Sequence, residues 1–125
     1  MELEESNALE ELHIGDVNLK YKLGVCGIYV YNNEGEIPHF HIRSKNIDWE
    51  CCVEIYKPLY FYHGIQQRNL NNKQCKLLDK WLKKKSSPFD ITNWESISLS
   101  WDNSQNPSTN VPNNRIKPNY LLLNK

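Results

Sequence analysis

Two histidines one residue apart, His39 and His41, follow a turn that carries Glu34, Glu36 and Pro38. In an extended chain alternate residues project from one face, so His39, His41 and Arg43 share one side and Phe40 and Ile42 the other. Two strand rises set the histidine backbones about 7 Å apart. Three chemistries suit that spacing. Paired imidazoles can share a metal ion, with a third ligand drawn from Glu34, Glu36, His63 or Glu54. Histidines can also act as acid and base in phosphodiester cleavage without a metal or any other cofactor. His39 and His41 would then be catalytic, Glu34 would orient one of them, and Arg43 would hold a phosphate. Third, a histidine-rich face can simply bind another protein. A single histidine on a strand is ordinarily just solvated; two of them behind two glutamates favour a site.

The metal chemistry can be compared with cupins, which also use His-x-His on a strand. Cupins need a glutamate four or five residues past the second histidine, where this chain has Lys45 and Asn46. It also has too few strands for a double-sheet barrel. The cupin pattern is therefore rejected; the leading expectation assigns no metal and no cofactor, and a metal-binding structural site stays open as a third, weaker one.

The elements that must position these residues follow from periodicity. Val17 to Leu23 alternates with period two and reads as a strand, with Val17, Leu19, Tyr21 and Leu23 on one face. Val25–Tyr31 is β-branched and aromatic and reads as a second strand. Asn32-Asn33-Glu34-Gly35 is turn chemistry, and Pro38 can open the histidine strand. After Lys45-Asn46, Asp48 to Ile55 alternates, with Trp49, Cys51, Val53 and Ile55 on one face and Glu50, Cys52 and Glu54 on the other. Leu59–His63 reads as a further short strand. Short connections imply an antiparallel meander.

The period then becomes helical. Cys75, Leu78, Trp81 and Leu82 follow an N-cap at Asn71 or Asn72. Thr92-Asn93-Trp94-Glu95 fits a capping box that opens a second helix ending by Pro107. The expected fold is α+β: a meander of three to five strands, two helices on one face, and an extended C-terminal tail. The helices bring Leu78, Trp81, Trp94 and Trp101 to Phe40, Ile42, Trp49 and Val53, which leaves the histidine face open. The domain division is an acidic arm over 1–16, one α+β domain over 17–102, and the tail over 103–125.

Composition limits the partners. The 125 residues carry zero net charge, 39% hydrophobic and 24% charged residues, which suits one globular domain. Charge is uneven along the chain: residues 1–16 hold six acids and no Lys or Arg, whereas residues 68–85 hold seven bases and only Asp79. The Lys-rich helix face, with Lys80 and Lys84, could hold a nucleic-acid backbone; a solvated face is the ordinary alternative. The acidic start is the opposite of a signal peptide, and no apolar run approaches membrane-spanning length. A cytoplasmic location and no membrane contact are expected. The four cysteines, Cys26, Cys51, Cys52 and Cys75, read as reduced packing residues. Tyr120-Leu121-Leu122-Leu123 ends a polar tail with an apolar cluster, which suggests docking onto the chain's own body, a symmetry mate in a homodimer, or a protein partner.

Asn33-Glu34-x-x-x-Pro38-His39-Phe40-His41-Ile42, after Ile28-Tyr29-Val30-Tyr31, resembles a small bacterial family catalogued as domain of unknown function four-one-six-zero. Its hallmark is Asn-Glu-x-x-Pro-Pro-His-x-His-Val. The resemblance covers roughly residues 25–65, with Glu34, Pro38, His39 and His41 at the signature positions. Ile37 replaces the first proline, and residues 65–102 match loosely. It implies a short, cytoplasmic α+β protein, often encoded beside a small partner gene in toxin–antitoxin-like pairs.

The functional expectation is a toxin-like or defence-related protein of a bacterial operon, phage or mobile element, acting on RNA or another phosphate-bearing target. His39, His41 and Glu34 would be catalytic, and Arg43, His63, Lys80 and Lys84 would bind substrate. The competing expectation is a non-enzymatic binding module, an inhibitor or antitoxin-like partner.

Overall fold

The computed structural model of the chain describes residues 10–32, 35, 37–62, 69–86, 88–105 and 111–125. The first nine residues of the expected acidic arm, and Asn33, Glu34, Glu36, His63 and Pro107, lie outside the described residues.

Four strands form one antiparallel sheet in meander order: β1 (Glu11–Asn18), β2 (Val25–Tyr31), β3 (His39–Ser44) and β4 (Glu50–Glu54). The fold is therefore α+β, as the periodicities require. Ile28 pairs with Ile42 and Ile42 with Cys51, so those side chains share one face. Tyr29 pairs with His41 and His41 with Cys52, which puts the chemistry-bearing residues together on the other face. The β3–β4 connection is closed by Ser44, whose hydroxyl accepts from the amides of Asn46 (3.2 Å) and Ile47 (3.4 Å).

The first strand differs from its expected place. It runs from Glu11 to Asn18 rather than from Val17 to Leu23, and so takes in residues assigned to the acidic arm. Lys20, Tyr21 and Lys22 all have positive φ and turn the chain back. The turn is held by Asn18 Oδ1, which accepts from the Lys20 amide at 3.0 Å, and by the Leu19 amide donating to Gly24 O at 2.9 Å. Val17, Leu19 and Leu23 of the expected face are buried without the extended backbone, but Tyr21 is exposed. Leu59–His63 differs too. The described part forms only an isolated bridge, Val53 to Tyr60, although the Phe61 amide reaches Cys52 O at 2.9 Å. Pro58, in the bend before it, has no N–H to extend a ladder.

The helices start where their caps predict. Helix α1 (Asn72–Leu82) is capped by Asn71, which exchanges side-chain bonds with Gln74 at 2.8 and 2.9 Å. Helix α2 (Asn93–Ser104) is capped by the Thr92–Glu95 box. The Asn93 side chain donates to Trp81 O at 2.8 Å and ties the end of α1 to the start of α2.

One apolar cluster joins Leu78, Leu82, Trp94, Ile97 and Trp101 of the helices to Ile28, Val30, Phe40, Ile42, Cys51 and Val53 of the sheet. All four cysteines are free and buried; Cys26, Cys51 and Cys75 belong to that cluster, whereas Cys52 lies on the opposite face of β4. Trp81 packs on β1 at Gly15, next to a bulge; a Cβ there would stand 2.9 Å from Trp81 Cζ2.

The tail closes the core. Tyr120, at the start of a 3-10 turn (Tyr120–Leu122), and Leu123 are buried in the chain's own core, while Leu121 and Leu122 are exposed. The Tyr120 hydroxyl donates towards Glu54 O (2.7 Å) and Ile55 O (2.9 Å). Its amide donates to Asp79 Oδ1 at 3.0 Å. Asp79 is buried in α1 and also receives Lys117, and Lys83 at 3.2 Å. Burial pushes the Asp79 carboxyl up, but the bonds from Lys117, the Tyr120 amide and Lys83 outweigh it and hold the group below its ordinary value.

Two outcomes follow from this packing. Gly15→Ala is expected to cost about 1–3 kcal/mol in urea unfolding by crowding Trp81, and Trp81→Leu in the same chain should remove most of that penalty. Asp79→Asn should cost about 1–3 kcal/mol by loosening the tail. Because the folded carboxyl titrates lower than the unfolded one, its stabilisation is complete above the ordinary value of 3.8. It is lost as pH falls through the folded value. The gap between wild type and Asp79→Asn should therefore narrow in unfolding curves taken at progressively more acid pH.

Candidate active site

β3 presents His39 and His41 on one face because the chain between Pro38 and Ser44 is fully extended. The face is not open, as the sequence suggests, but covered. His39 and His41 are 1% and 2% exposed, almost as little as the core residues behind them. Aromatic side chains account for this. The Tyr31 ring stacks on His41 with centroids 4.2 Å apart, and the Phe61 ring stacks on His39 at 4.2 Å. Trp101 reaches His39 at 5.4 Å; its Nε1 is buried with no hydrogen-bond partner among the described residues. The doubling-back after β4 that puts Phe61 beside Cys52 is what closes the site.

The two imidazoles lie 5.3 Å apart, tilted by 53°. His39 Nδ1–H donates to Ile37 O at 2.7 Å, since a carbonyl can only accept. His41 Nδ1 lies 2.6 Å from Glu50 Oε2, where a carboxylate likewise accepts. In both rings the proton of the neutral form is thus placed on Nδ1, which puts the lone pair on Nε2. Cys52, paired directly with His41 across the strands, brings its Sγ to 3.2 Å from the same Nδ1. His41, Glu50 and Cys52 form a group whose donor atoms all lie within 4.8 Å of one another.

Glu54 pairs with His39 one step along. Burial raises its pKa, against the opposing charges of Lys57 and His39. A cleft of about 490 Å³ opens beside it, lined by Pro38, Glu54, Tyr56, Lys57, Val111 and Ile116.

The other expected site residues divide. Arg43 shares the histidine face but is engaged, contrary to a role as a waiting phosphate ligand. Its guanidinium donates to the Tyr31 hydroxyl at 2.8 Å, pairs with Glu11 at 3.0 Å, and lies 3.9 Å above the Tyr29 ring. Gly27 makes room for that ring, whose edge passes 2.6 Å from where a Cβ would stand. The bond from Arg43 holds the Glu11 carboxyl below its ordinary range. Lys80 on α1 and Lys84 just past its end are exposed, and α1 packs on β1, α2 and the tail turn. No hydrogen bond or ion pair joins them to the histidine strand among the described residues. Glu34 and His63 lie outside the described residues.

Glu50 and Cys52 are the site residues that sequence reasoning passed over. The signal was available: both alternate with Glu54 on one face of β4, and a short antiparallel turn must lay that face beside His39 and His41.

The family comparison bears on this same region. The domain of unknown function DUF4160 matches residues 27–95. The chain belongs to the DUF4160 family. The matched span runs from β2 through the histidine strand to the start of α2, so it holds the whole of the described His–Glu–Cys cluster. No curated protein and no solved structure matches the chain. Among the described residues no helix is long and apolar enough to cross a membrane.

Arg43→Lys is expected to destabilise the fold by about 1 kcal/mol, because an ammonium loses the flat stack on Tyr29 and the forked contact with Tyr31 and Glu11. Urea unfolding at low and high salt checks this. The larger part of the loss should persist at high salt, since stacking is screened less than the half-exposed Glu11 pair.

Proposed function

We propose that this DUF4160 protein is a small cytoplasmic enzyme that cleaves RNA or another phosphate-bearing target, as a toxin-like or defence-related component of a bacterial or phage operon. The observation that carries this reading is the pair of imidazoles 5.3 Å apart, with His39 Nδ1 bonded to Ile37 O and His41 Nδ1 to Glu50. Such a pair suits acid–base catalysis. One Nε2 would take the proton from an attacking 2′-hydroxyl as it bonds to phosphorus. The other, protonated, would give its proton to the departing 5′-oxygen as the phosphorus–oxygen bond breaks. Glu50, at 2.6 Å from His41, replaces Glu34 as the carboxylate that orients an imidazole in this scheme. Lys57, beside the cleft at Pro38 and Glu54, offers a cation for the phosphate in place of the engaged Arg43.

A second reading, a non-enzymatic module that binds a protein partner or a second copy through its tail, draws on the exposed Leu121 and Leu122. Tyr120 and Leu123 serve this chain's own core, so those two leucines are what the tail has left to offer.

Replacing both histidines by asparagine separates fold from chemistry. The amide of Asn can take the place of Nδ1–H towards Ile37 O and Glu50, while Nε2 is deleted. Induced expression of the wild type should arrest growth and cleave cellular RNA. The His39→Asn/His41→Asn protein should fold, as shown by its melting curve, and lose both effects by roughly a hundredfold or more. A folded variant as harmful as the wild type, or a wild type that leaves RNA intact, would end the acid–base reading.

A further inference from the structure

Three potential ligand atoms converge beside the histidine pair, all within 4.8 Å of one another. Glu50 Oε2 lies 2.6 Å, and Cys52 Sγ 3.2 Å, from one and the same nitrogen, His41 Nδ1. A Cys–His–Glu catalytic triad would place thiol and carboxylate on opposite ring nitrogens, so that one proton could be passed along. Here both crowd a single N–H, whose proton can be given fully to only one of them. Deprotonated at Nδ1 and the thiol, the three groups are lone-pair donors from two adjacent strands, close enough together for one cation to draw them in.

We propose that His41, Glu50 and Cys52 form a binding site for a divalent transition metal of the zinc class. The donor set of imidazole, carboxylate and thiolate selects borderline-soft ions over magnesium or calcium. The spacing is close to what such an ion needs. Around a tetrahedral zinc, ligand atoms at 2.0–2.3 Å from the metal stand about 3.3–3.6 Å from one another. The Cys52–His41 distance of 3.2 Å is nearly there, and the Glu50 carboxylate has to retreat by under about 1 Å. It has room to do so: its side chain is 46% exposed, whereas His41 and Cys52 are almost wholly buried. Glu50 is therefore the flexible, water-facing ligand through which an ion would enter. Three protein ligands leave a fourth position for water or substrate, the pattern of catalytic rather than structural zinc. His39 stands next along the same strand face. The proposal needs no particular reaction, because it is read on the purified protein without substrate; it can fail while the acid–base reading stands, and the reverse.

The test uses the full chain, stripped with a chelator under reducing conditions and titrated with Co²⁺ and Zn²⁺. One equivalent of Co²⁺ should produce a thiolate-to-cobalt charge-transfer band in the near ultraviolet, and one equivalent of Zn²⁺ should abolish it. Cys52→Ser should remove the band, whereas Cys51→Ser, on the opposite face, should keep it. Loss of a partner that merely supports a metal ligand typically weakens binding 10–100-fold, so Glu50→Gln, which removes a ligand, should weaken Zn²⁺ binding at least about tenfold. A wild-type protein that gives no thiolate band, or a band that survives in Cys52→Ser, would overturn the proposal without any reference to a variant's stability.

Discussion

The antiparallel register of β3 on β4 is the constraint from which the rest of the site follows. Phe40, Ile42, Cys51 and Val53 are all completely buried on one side of these two strands. Each large apolar side chain withdrawn from water contributes roughly 1.5–3 kcal/mol. A slip by one residue would exchange those four for His39, His41, Glu50 and Cys52 and place the polar groups in the core. The core therefore holds the register, and the register puts His41 opposite Cys52 and His39 opposite Glu54. The chemistry on one face is thus positioned by apolar packing on the other. The tail adds to this, because Tyr120 binds the carbonyls of Glu54 and Ile55, where β4 ends.

Covering the histidine face changes its physics. A solvated strand face would leave each imidazole free to rotate and exchange tautomers. Between Tyr31 and Phe61 the rings are held by stacking, and the acceptors Ile37 O and Glu50 fix which nitrogen carries the proton. The same enclosure removes Arg43 from service as a free cation. Its stack on Tyr29 and its bond to Tyr31 make it a strut of the aromatic wall, and Glu11 of β1 anchors it from across the sheet. The acidic character of the early chain thus has a local use at Glu11 and at Asp16, which pairs with Lys45 at 2.8 Å.

What could be read from the sequence was whatever depends on neighbours along the chain. The capping boxes at Asn71 and Thr92 are local exchanges of hydrogen bonds, and they fall where the residue types require. The alternation of β3 and β4 is local as well. The first strand failed because Lys20, Tyr21 and Lys22 take left-handed conformations without a glycine among them, so no residue type announced the turn. The alternating Leu19 and Leu23 then imitated a strand that does not form. Closure of the histidine face was illegible for a different reason. It depends on Phe61 returning along β4 and on Trp101 approaching from α2, contacts between residues 20 to 60 positions apart in the chain. Cys52 was read as packing because its burial is genuine; only its pairing with His41 across the strands reveals that its thiol stands beside an imidazole.

His41 Nδ1 is where the two chemistries of the site meet. In the proposed acid–base scheme the Nδ1 proton is held by Glu50 and Nε2 would serve as the base, with His39 held in the same way by Ile37 O. A metal held at His41 Nδ1 by the proposed Glu50 and Cys52 ligands would place the ring proton on Nε2 and so distinguish His41 from His39. The asymmetry is built into the fold already: His41 faces a carboxylate and a thiol on β4, whereas His39 Nδ1 is bonded to the backbone carbonyl of Ile37.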